Sequence, residues 1–312
     1  MPLPADLERQ IQALSQTLAP KQRKELQENL SNRYRTQPQK ALRSKEEAIL
    51  YLTTRLPATF GVGERVLSIV KETYPAHASI TSILDVGAGP GASRWLFEDL
   101  FPALKTCTLV EQNSHMLAVG HALIHSLGTF QAQDYRVGEL SPHDLVYASY
   151  TLSELKPHQQ STAVDILWTA AETLMVLIEP GTPQGFDTIR RARKTLIEKG
   201  AFILAPCGHE SPCPMQDKDW CHFSVRIPRS KAHQQAKQGT LSFEDEKFSY
   251  LIVSKTPATQ ELPPRLMRKP IKGKGHMILD TCTKEGLKRQ TVSKSKDKNY
   301  KHYAKLEWGD GV

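Results

Sequence analysis

The sequence predicts an α/β fold: a parallel sheet covered on both faces, with a helical layer before it and a small basic β appendage after it. Three observations carry this. From Ser79 short apolar runs alternate with helical stretches, the pattern of strands joined by helical crossovers. One of those runs leads straight into glycines at Gly87, Gly89 and Gly91. The chain's basic excess is also confined to its C-terminal part: Lys255–Lys305 holds 14 Lys+Arg against 4 Asp+Glu, so the rest of the chain, within a total of +8, is slightly acidic.

Taken in order, residues 1–76 read as a helical region. Leu7, Ile11, Leu14 and Leu18 recur at helical spacing, Leu26 and Leu30 start a second stripe after Pro20, and a further helix is expected from Ala58 to Glu72. Residues 77–255 read as the sheet domain. Strands are expected at Ile83–Val86, Thr108–Val110, Phe130–Tyr135, Asp144–Ala148 and Met175–Ile178. Helices are expected at Ala92–Leu100, Ser114–Leu127, Gln159–Glu172 and Gly185–Lys199. Phe202–Leu204 and Phe248–Val253 add two strands around a polar, Cys-rich insertion (206–248). Residues 256–312 read as an antiparallel appendage with strands at His276–Cys282, Leu287–Ser293 and Tyr300–Leu306.

A hydrophobic share of 39% with 24% charged residues supports a sizeable core and excludes wholesale disorder. No run approaches the ~18 consecutive apolar residues of a membrane span. The opening Met-Pro-Leu-Pro-Ala-Asp has neither the basic and apolar regions of a secretory signal nor the Arg/Ser-rich character of a transit peptide. The expectation is a cytoplasmic protein with reduced thiols and no membrane partner. The local basic excess points to a polyanion.

The stretch Ile83-Leu-Asp85-Val-Gly87-Ala-Gly89-Pro-Gly91-Ala-Ser93 is the sharpest single signal. Glycine permits a tight turn and lets a ligand approach the backbone, and open α/β sheets bind nucleotides at such strand–loop–helix junctions. The spacing G-x-G-x-G after an Asp resembles motif I of S-adenosylmethionine-dependent methyltransferases with a Rossmann-like sheet. It differs from the dinucleotide form G-x-G-x-x-G, which makes NAD the second candidate. Glu111 closes the second strand where an acid can take both ribose hydroxyls, and Asp134 is expected to end the third strand beside the adenine. Tyr150, Ser153 and Glu154 follow the fourth strand, where an acceptor would lie; Glu154 is a candidate base or a cap of the next helix.

Cys207, Cys213, Cys221 and Cys282 form a C-x5-C-x7-C-x60-C set, while Cys107 reads as a buried small hydrophobe. Four thiolates complete either a tetrahedral zinc site or an iron–sulfur cluster. The C-x2–4-C knuckles of structural zinc are absent, as is the C-x3-C-x2-C triplet of radical chemistry. His209 and His222 could replace a thiol, or be surface or supporting groups. Pro206-Cys207 and Thr281-Cys282 resemble, as dipeptides, the nucleophile motifs of RNA cytosine-C5 methyltransferases, but no cysteine follows the fourth strand where that nucleophile is needed.

Longer stretches resemble the methyltransferase-like family of mitochondrial small-ribosomal-subunit (Rsm-type) assembly proteins, and the chain is similar to a bacterial member. They are Asn29–Arg35, Tyr51–Phe60, the glycine loop, Ile178–Phe186, Ala205–Pro214, Asp219–Arg226, Glu244–Tyr250 and Trp308–Asp310. The resemblance implies a class I methyltransferase sheet that binds S-adenosylmethionine through Asp85, Gly87, Gly89, Gly91, Glu111, Asp134 and Tyr150. It also implies a [4Fe-4S] cluster on Cys207, Cys213, Cys221 and Cys282, since these match the family's four ligands one by one. The partner would be the small ribosomal subunit or its rRNA, met through the basic segment 265–305. Lys269, Lys272, Lys274, Lys288, Arg289, Lys294, Lys296, Lys298 and Lys301, with Tyr300 and Tyr303 interleaved, suit phosphate contact. Two function classes follow: an rRNA methyltransferase, or an assembly factor in which no methyl group moves. The absence of an Asn-Pro-Pro-Tyr-type motif after the fourth strand leans toward the second.

Overall fold

The computed structural model describes residues 3–36 (31–36 by backbone alone), 42–215, 219–229, 241–260 and 262–312. Parts of the expected insertion, 216–218 and 230–240, therefore lie outside the described residues, as do the side chains of 31–35 in the Asn29–Arg35 stretch.

Four helices come first: α1 (Ala5–Gln16), α2 (Pro20–Thr36), α3 (Lys45–Thr54) and α4 (Leu56–Thr73). Leu7 and Ile11 of α1 are buried on one stripe, as their spacing requires. Ser44 caps α3 by accepting from the Glu47 N–H (3.2 Å), satisfying one of the free donors of the first turn. α4 is buried over most of its length because it lies across the sheet, and Val62, Val66, Leu67 and Val70 have almost no exposed surface.

The main sheet contains β1 (Ser82–Val86), β2 (Thr106–Glu111), β3 (Thr129–Ala132), β4 (His143–Ser149), β5 (Ala171–Pro180), β6 (Phe202–Ala205), β7 (Phe223–Pro228) and β8 (Phe243–Ser254). Its order is β3-β2-β1-β4-β5-β8-β6, with β7 also paired to β8. The first five strands are parallel and follow the Rossmann-like order with β1 at the switch point. Their crossovers are α5 (Arg94–Leu100), α6 (Ser114–Ala122) and α7 (Pro157–Ala170), and α8 (Pro183–Glu198) follows β5. This is the class I methyltransferase sheet. It is mixed rather than wholly parallel, because β8 runs antiparallel between β5 and β6. Twelve residues long, β8 pairs on one edge with β6 through Ile252–Ser254 and with β7 through Phe243–Phe248. The loop 206–222, carrying three cysteines, thus leaves the sheet at the end of β6 and rejoins it at the start of β7, beside the middle of β8.

The appendage is a four-stranded antiparallel sheet: β9 (Arg265–Leu266), β10 (Ile271–Gly273), β11 (His276–Thr283) and β12 (Gly286–Ser293). Leu266, Met277, Leu279, Val292 and Leu306 form its small core. The strand expected at Tyr300–Leu306 is instead a short helix, Tyr300–Tyr303. Tyr300 and Tyr303, three residues apart, are half-buried and pack on one side against that core. Among the described residues, no helix is long and apolar enough to cross a membrane.

Candidate functional site

Two cavities open on the elements singled out by the sequence. The first, of about 480 Å³, lies between the glycine loop, the end of β4 and the N-terminal layer. Gly87, Gly89 and Gly91 all have positive φ (71°, 55° and 68°), which glycine alone adopts without strain. Their surroundings differ. A Cβ on Gly87 would lie 2.4 Å from Thr151 Oγ1, and one on Gly91 would meet Phe130 and Leu109 at 2.8 and 2.9 Å. A Cβ on Gly89 would meet nothing within 4 Å. Gly91 is therefore a packing glycine, contrary to its expected place in the ligand cradle, whereas Gly89 faces open space inside the cavity.

Asp85 lines the cavity, is 2% exposed, and accepts a short hydrogen bond from the Ser93 hydroxyl. Burial pushes its carboxyl up to about 7, against the pull of Ser93, and the nearby Glu111 adds to the rise. Because the folded chain holds this proton more tightly than the unfolded chain, Asp85 contributes stability that is complete below pH ~4 and is lost as pH rises through about 7. The expected result is a melting temperature that falls between pH 4 and 8, and an Asp85→Asn variant whose curve is flatter and higher at pH 8. Differential scanning calorimetry across that range checks it; an unchanged slope in the variant would remove Asp85 as the cause.

Glu111 ends β2 as expected, but its carboxylate is engaged within the chain: Oε2 accepts from the Gly89 N–H (2.8 Å) and Oε1 from the Asn113 N–H (2.7 Å). It splints the glycine loop to the start of α6. Asp134 lies two residues beyond the end of β3 rather than on it, and Arg136 holds it in a two-pronged ion pair (Nε–Oδ1 2.8 Å) that keeps its carboxyl below the usual range. Tyr150 has φ 60°, the one non-glycine residue with positive φ among the described residues, and its hydroxyl is buried without a partner there. Tyr51, Leu56, Thr59 and Phe60 from α3 and α4 close the other wall. Glu154 is exposed, outside the cavity lining, and does not cap α7, whose N-cap is Lys156. Glu179, given no role by the sequence reading, is 1% exposed, accepts from the Leu152 and Ser153 N–H groups (2.8 and 3.2 Å), and is pushed up to about 7 by burial.

The second cavity, of about 510 Å³, brings together all four cysteines of the set. Cys207 follows β6, Cys221 precedes β7, Cys213 lies in the loop between them, and Cys282 arrives on β11, paired with Arg265 of β9. Burial raises the Cys207, Cys221 and Cys282 thiols, Cys282 to about 12, and the neighbouring thiols raise each of them further. Cys107, by contrast, is buried in the core, as expected. No cysteine lines the glycine-loop cavity among the described residues, so the cytosine-C5 nucleophile finds no place there.

Among the described residues, no three His, Cys, Asp or Glu side chains are gathered as one metal ion needs. A tetrahedral zinc site wants sulfurs ~2.3 Å from a common centre, so the zinc alternative finds no preformed site. His209 and His222 are buried rather than on the surface. His209 Nε2 lies 3.6 Å from Cys282 Sγ, and His222 stacks on Trp220 with Trp308 edge-on.

Sequence reasoning missed the buried Arg193 and Arg265. Arg193 donates to the His209 and Ser211 carbonyls (2.7 and 2.9 Å). Arg265 donates to the Pro206 and Gly309 carbonyls (2.9 and 2.8 Å), tying the cysteine loop, the appendage and the C-terminal residues to one guanidinium. Lys269, Lys272, Lys274, Lys288, Arg289, Lys294, Lys296, Lys298 and Lys301 are all exposed.

A family model described as "Mitochondrial small ribosomal subunit Rsm22" matches residues 45–312. The human mitochondrial ribosome assembly protein METTL17 is 24% identical over 287 residues, covering 84% of this chain and 62% of that protein. The mitochondrial Rsm22-cox11 tandem protein 2 of Schizosaccharomyces pombe is 26% identical over 284 residues, covering 73% and 38%. The mitochondrial ribosome assembly protein RSM22 of Saccharomyces cerevisiae is 23% identical over 232 residues, covering 42% and 37%. The chain thus spans between 37% and 62% of the length of these relatives. Among solved structures, a magnesium protoporphyrin IX methyltransferase from Synechocystis PCC 6803 with bound SAM aligns with TM-score 0.42 at 12% identity, over 74% of this chain and 97% of that one. A putative RNA methyltransferase from Pyrococcus horikoshii aligns with TM-score 0.41 at 15% identity, over 61% and 82%. Both scores are low, and the fold is assigned from the strand order.

Proposed function

The chain belongs to the Rsm22 family, and from that premise we propose that it is a small-ribosomal-subunit assembly factor that binds S-adenosylmethionine and an iron–sulfur cluster. The observation that carries the donor site is the open space at Gly89, bounded by Asp85 and by the Tyr150 hydroxyl, at the switch point of a Rossmann-like sheet. When bound, S-adenosylmethionine supplies a methyl group on a sulfonium. The residues that would hold it are Gly87, Gly89, Asp85 and Tyr150, with Glu111 keeping the loop in shape through its bonds to the Gly89 and Asn113 N–H groups.

The cysteine cavity supports the cluster. Four thiols with no competing carboxylate line one space, together with two buried guanidiniums, and thiolates are the usual cluster ligands. The exposed cations of β10–β12 and the turn after them suit contact with rRNA phosphates. If about six phosphates are engaged, affinity for small-subunit RNA falls about a thousandfold between 50 and 200 mM salt. A filter-binding titration over that range checks it, and salt-insensitive binding would refute the phosphate interface.

Methyl transfer to rRNA is the second reading, and Tyr150 favours it: a left-handed backbone at a non-glycine residue is a strained state that tends to be kept at working sites. Anaerobically purified protein, labelled S-adenosylmethionine and immature small-subunit particles decide between the two. Stoichiometric label in rRNA means an enzyme. No label, with donor and particles both bound, means an assembly factor in which the donor has a structural or sensing part.

A further inference from the structure

Three buried polar side chains at the cysteine cavity lack the partners that burial demands. Arg193 and Arg265 are each 5% exposed and line the cavity. Their hydrogen bonds go to backbone carbonyls and, for Arg193, to the Cys207 thiol; no carboxylate pairs with either among the described residues, and Arg193 Nε has no partner there. Tyr250, in the middle of β8, is 1% exposed and lines the same cavity, and its hydroxyl is also buried without a partner. A buried cation without an anion and a buried hydroxyl without an acceptor each lose the solvation of the unfolded chain with nothing in return. Native interiors do not gather such groups without compensation.

The cavity lining contains no Asp or Glu, so its anions can come only from the thiols or from what they bind. Four thiolates on a four-iron core of charge +2 carry a net charge of −2, which two guanidiniums neutralise. Tyr250 lines the same cavity as Cys207, Cys221 and Arg265. A phenol hydroxyl that finds no oxygen or nitrogen acceptor, in a space lined by sulfur, has sulfur as its remaining acceptor.

We infer that Tyr250 donates a hydrogen bond to a sulfur of the cysteine-bound cluster, with Arg193 and Arg265 as the buried counter-charges, and that these side chains set its reduction potential. The inference rests on the cluster reading above. Reduction adds a negative charge, so a donor hydrogen bond and a nearby cation stabilise the reduced form and raise the potential. Tyr250 is a positioning and tuning residue, not a ligand.

The test uses the full chain reconstituted anaerobically. Iron and sulfide content, with the visible absorption band, first establish the cluster; if none assembles with all four cysteines present, the cluster reading fails and this inference falls with it. With the cluster in place, potentiometric titration should show Tyr250→Phe lowering the potential by about tenfold in the oxidised-to-reduced ratio, 59 mV for one electron. An unchanged potential at full iron content would overturn the role of Tyr250 and leave the cluster reading standing. Because the phenylalanine variant could fail to assemble, the same titration is made on wild-type chain carrying 3-fluorotyrosine, a stronger donor of nearly the same size. Tyr250 is the sole tyrosine in the cavity lining, so the expected shift is upward, and no shift overturns the inference equally.

Discussion

Gly89→Arg abolishes S-adenosylmethionine binding while leaving the fold in place. At φ 55° a side chain costs ~1–2 kcal/mol of backbone strain, a cost a chain of this size tolerates. The space beyond the α-carbon is empty to 4 Å, so the arginine enters the volume the donor would fill instead of colliding with the protein. Isothermal titration calorimetry should show affinity reduced at least a hundredfold, with circular dichroism melts shifted by only a few degrees. Gly91→Ala provides the contrast: its Cβ runs into Phe130 and Leu109, so it should lower the melting temperature more than Gly89→Arg does while weakening the donor less. A Gly89→Arg protein that binds the donor like wild type would place the donor site elsewhere.

That contrast also marks where the sequence stops being informative. Three glycines at alternate positions announce a left-handed loop, because φ is a local property, but which of them faces a ligand depends on Phe130 of β3 and on Thr151 in the turn after β4. The β/α alternation was legible for the same reason: most strands of the parallel half are short apolar runs, and all but β3 are followed by a helix. The place of β8 was not, since insertion between β5 and β6 depends on pairing across more than seventy residues of chain. β7 was missed although Phe223-Ser-Val-Arg-Ile alternates apolar and polar residues, because it sits in a stretch read as a polar insertion. Asp134 was placed on β3 by counting, whereas Arg136 draws it into an ion pair once the strand ends at Ala132. The four cysteines were legible as a set. The arginines and the tyrosine around them were not, since nothing at positions 193, 250 or 265 signals a shared cavity until β6, β8, β9 and α8 are assembled, whereas His209 was already read with the set as a thiol substitute or a supporting group.

The coupling between that cavity and the basic sheet gives the second large effect, expected for Cys282→Ser. The appendage has too small a core to be rigid on its own: Leu266, Met277, Leu279, Val292 and Leu306 are its buried apolar residues, and modules of that size usually need a staple. Two of its ties to the sheet domain run through the cysteine cavity, beside the Arg268–Asp219 and Arg65–Asp310 ion pairs and the packing of Met267 with Phe186. One is Arg265, bonded to the Pro206 carbonyl. The other is Cys282, one register step along β11 from Thr281, the partner of Leu266. If the cluster bridges Cys282 to the loop of Cys207, Cys213 and Cys221, its binding energy is also the docking energy of the appendage, as for other metal-stapled modules. Removing the thiol leaves Arg265, the two partly exposed ion pairs and the Met267 packing. Amide exchange across β9–β12 should then accelerate on the order of a hundredfold, the signature of local opening, while β1, β4 and β5, whose residues are almost wholly buried, keep their protection. Association with small-subunit particles should fall with it, since the exposed lysines of β10–β12 would no longer be held in one arrangement, whereas S-adenosylmethionine binding at the separate glycine-loop cavity should stay within a factor of about two. Hydrogen–deuterium exchange and particle cosedimentation on the same preparation check both halves. Unchanged exchange and unchanged association in Cys282→Ser would show that the appendage is held by Arg265 and side-chain packing, and that the thiol cavity serves something other than the basic face.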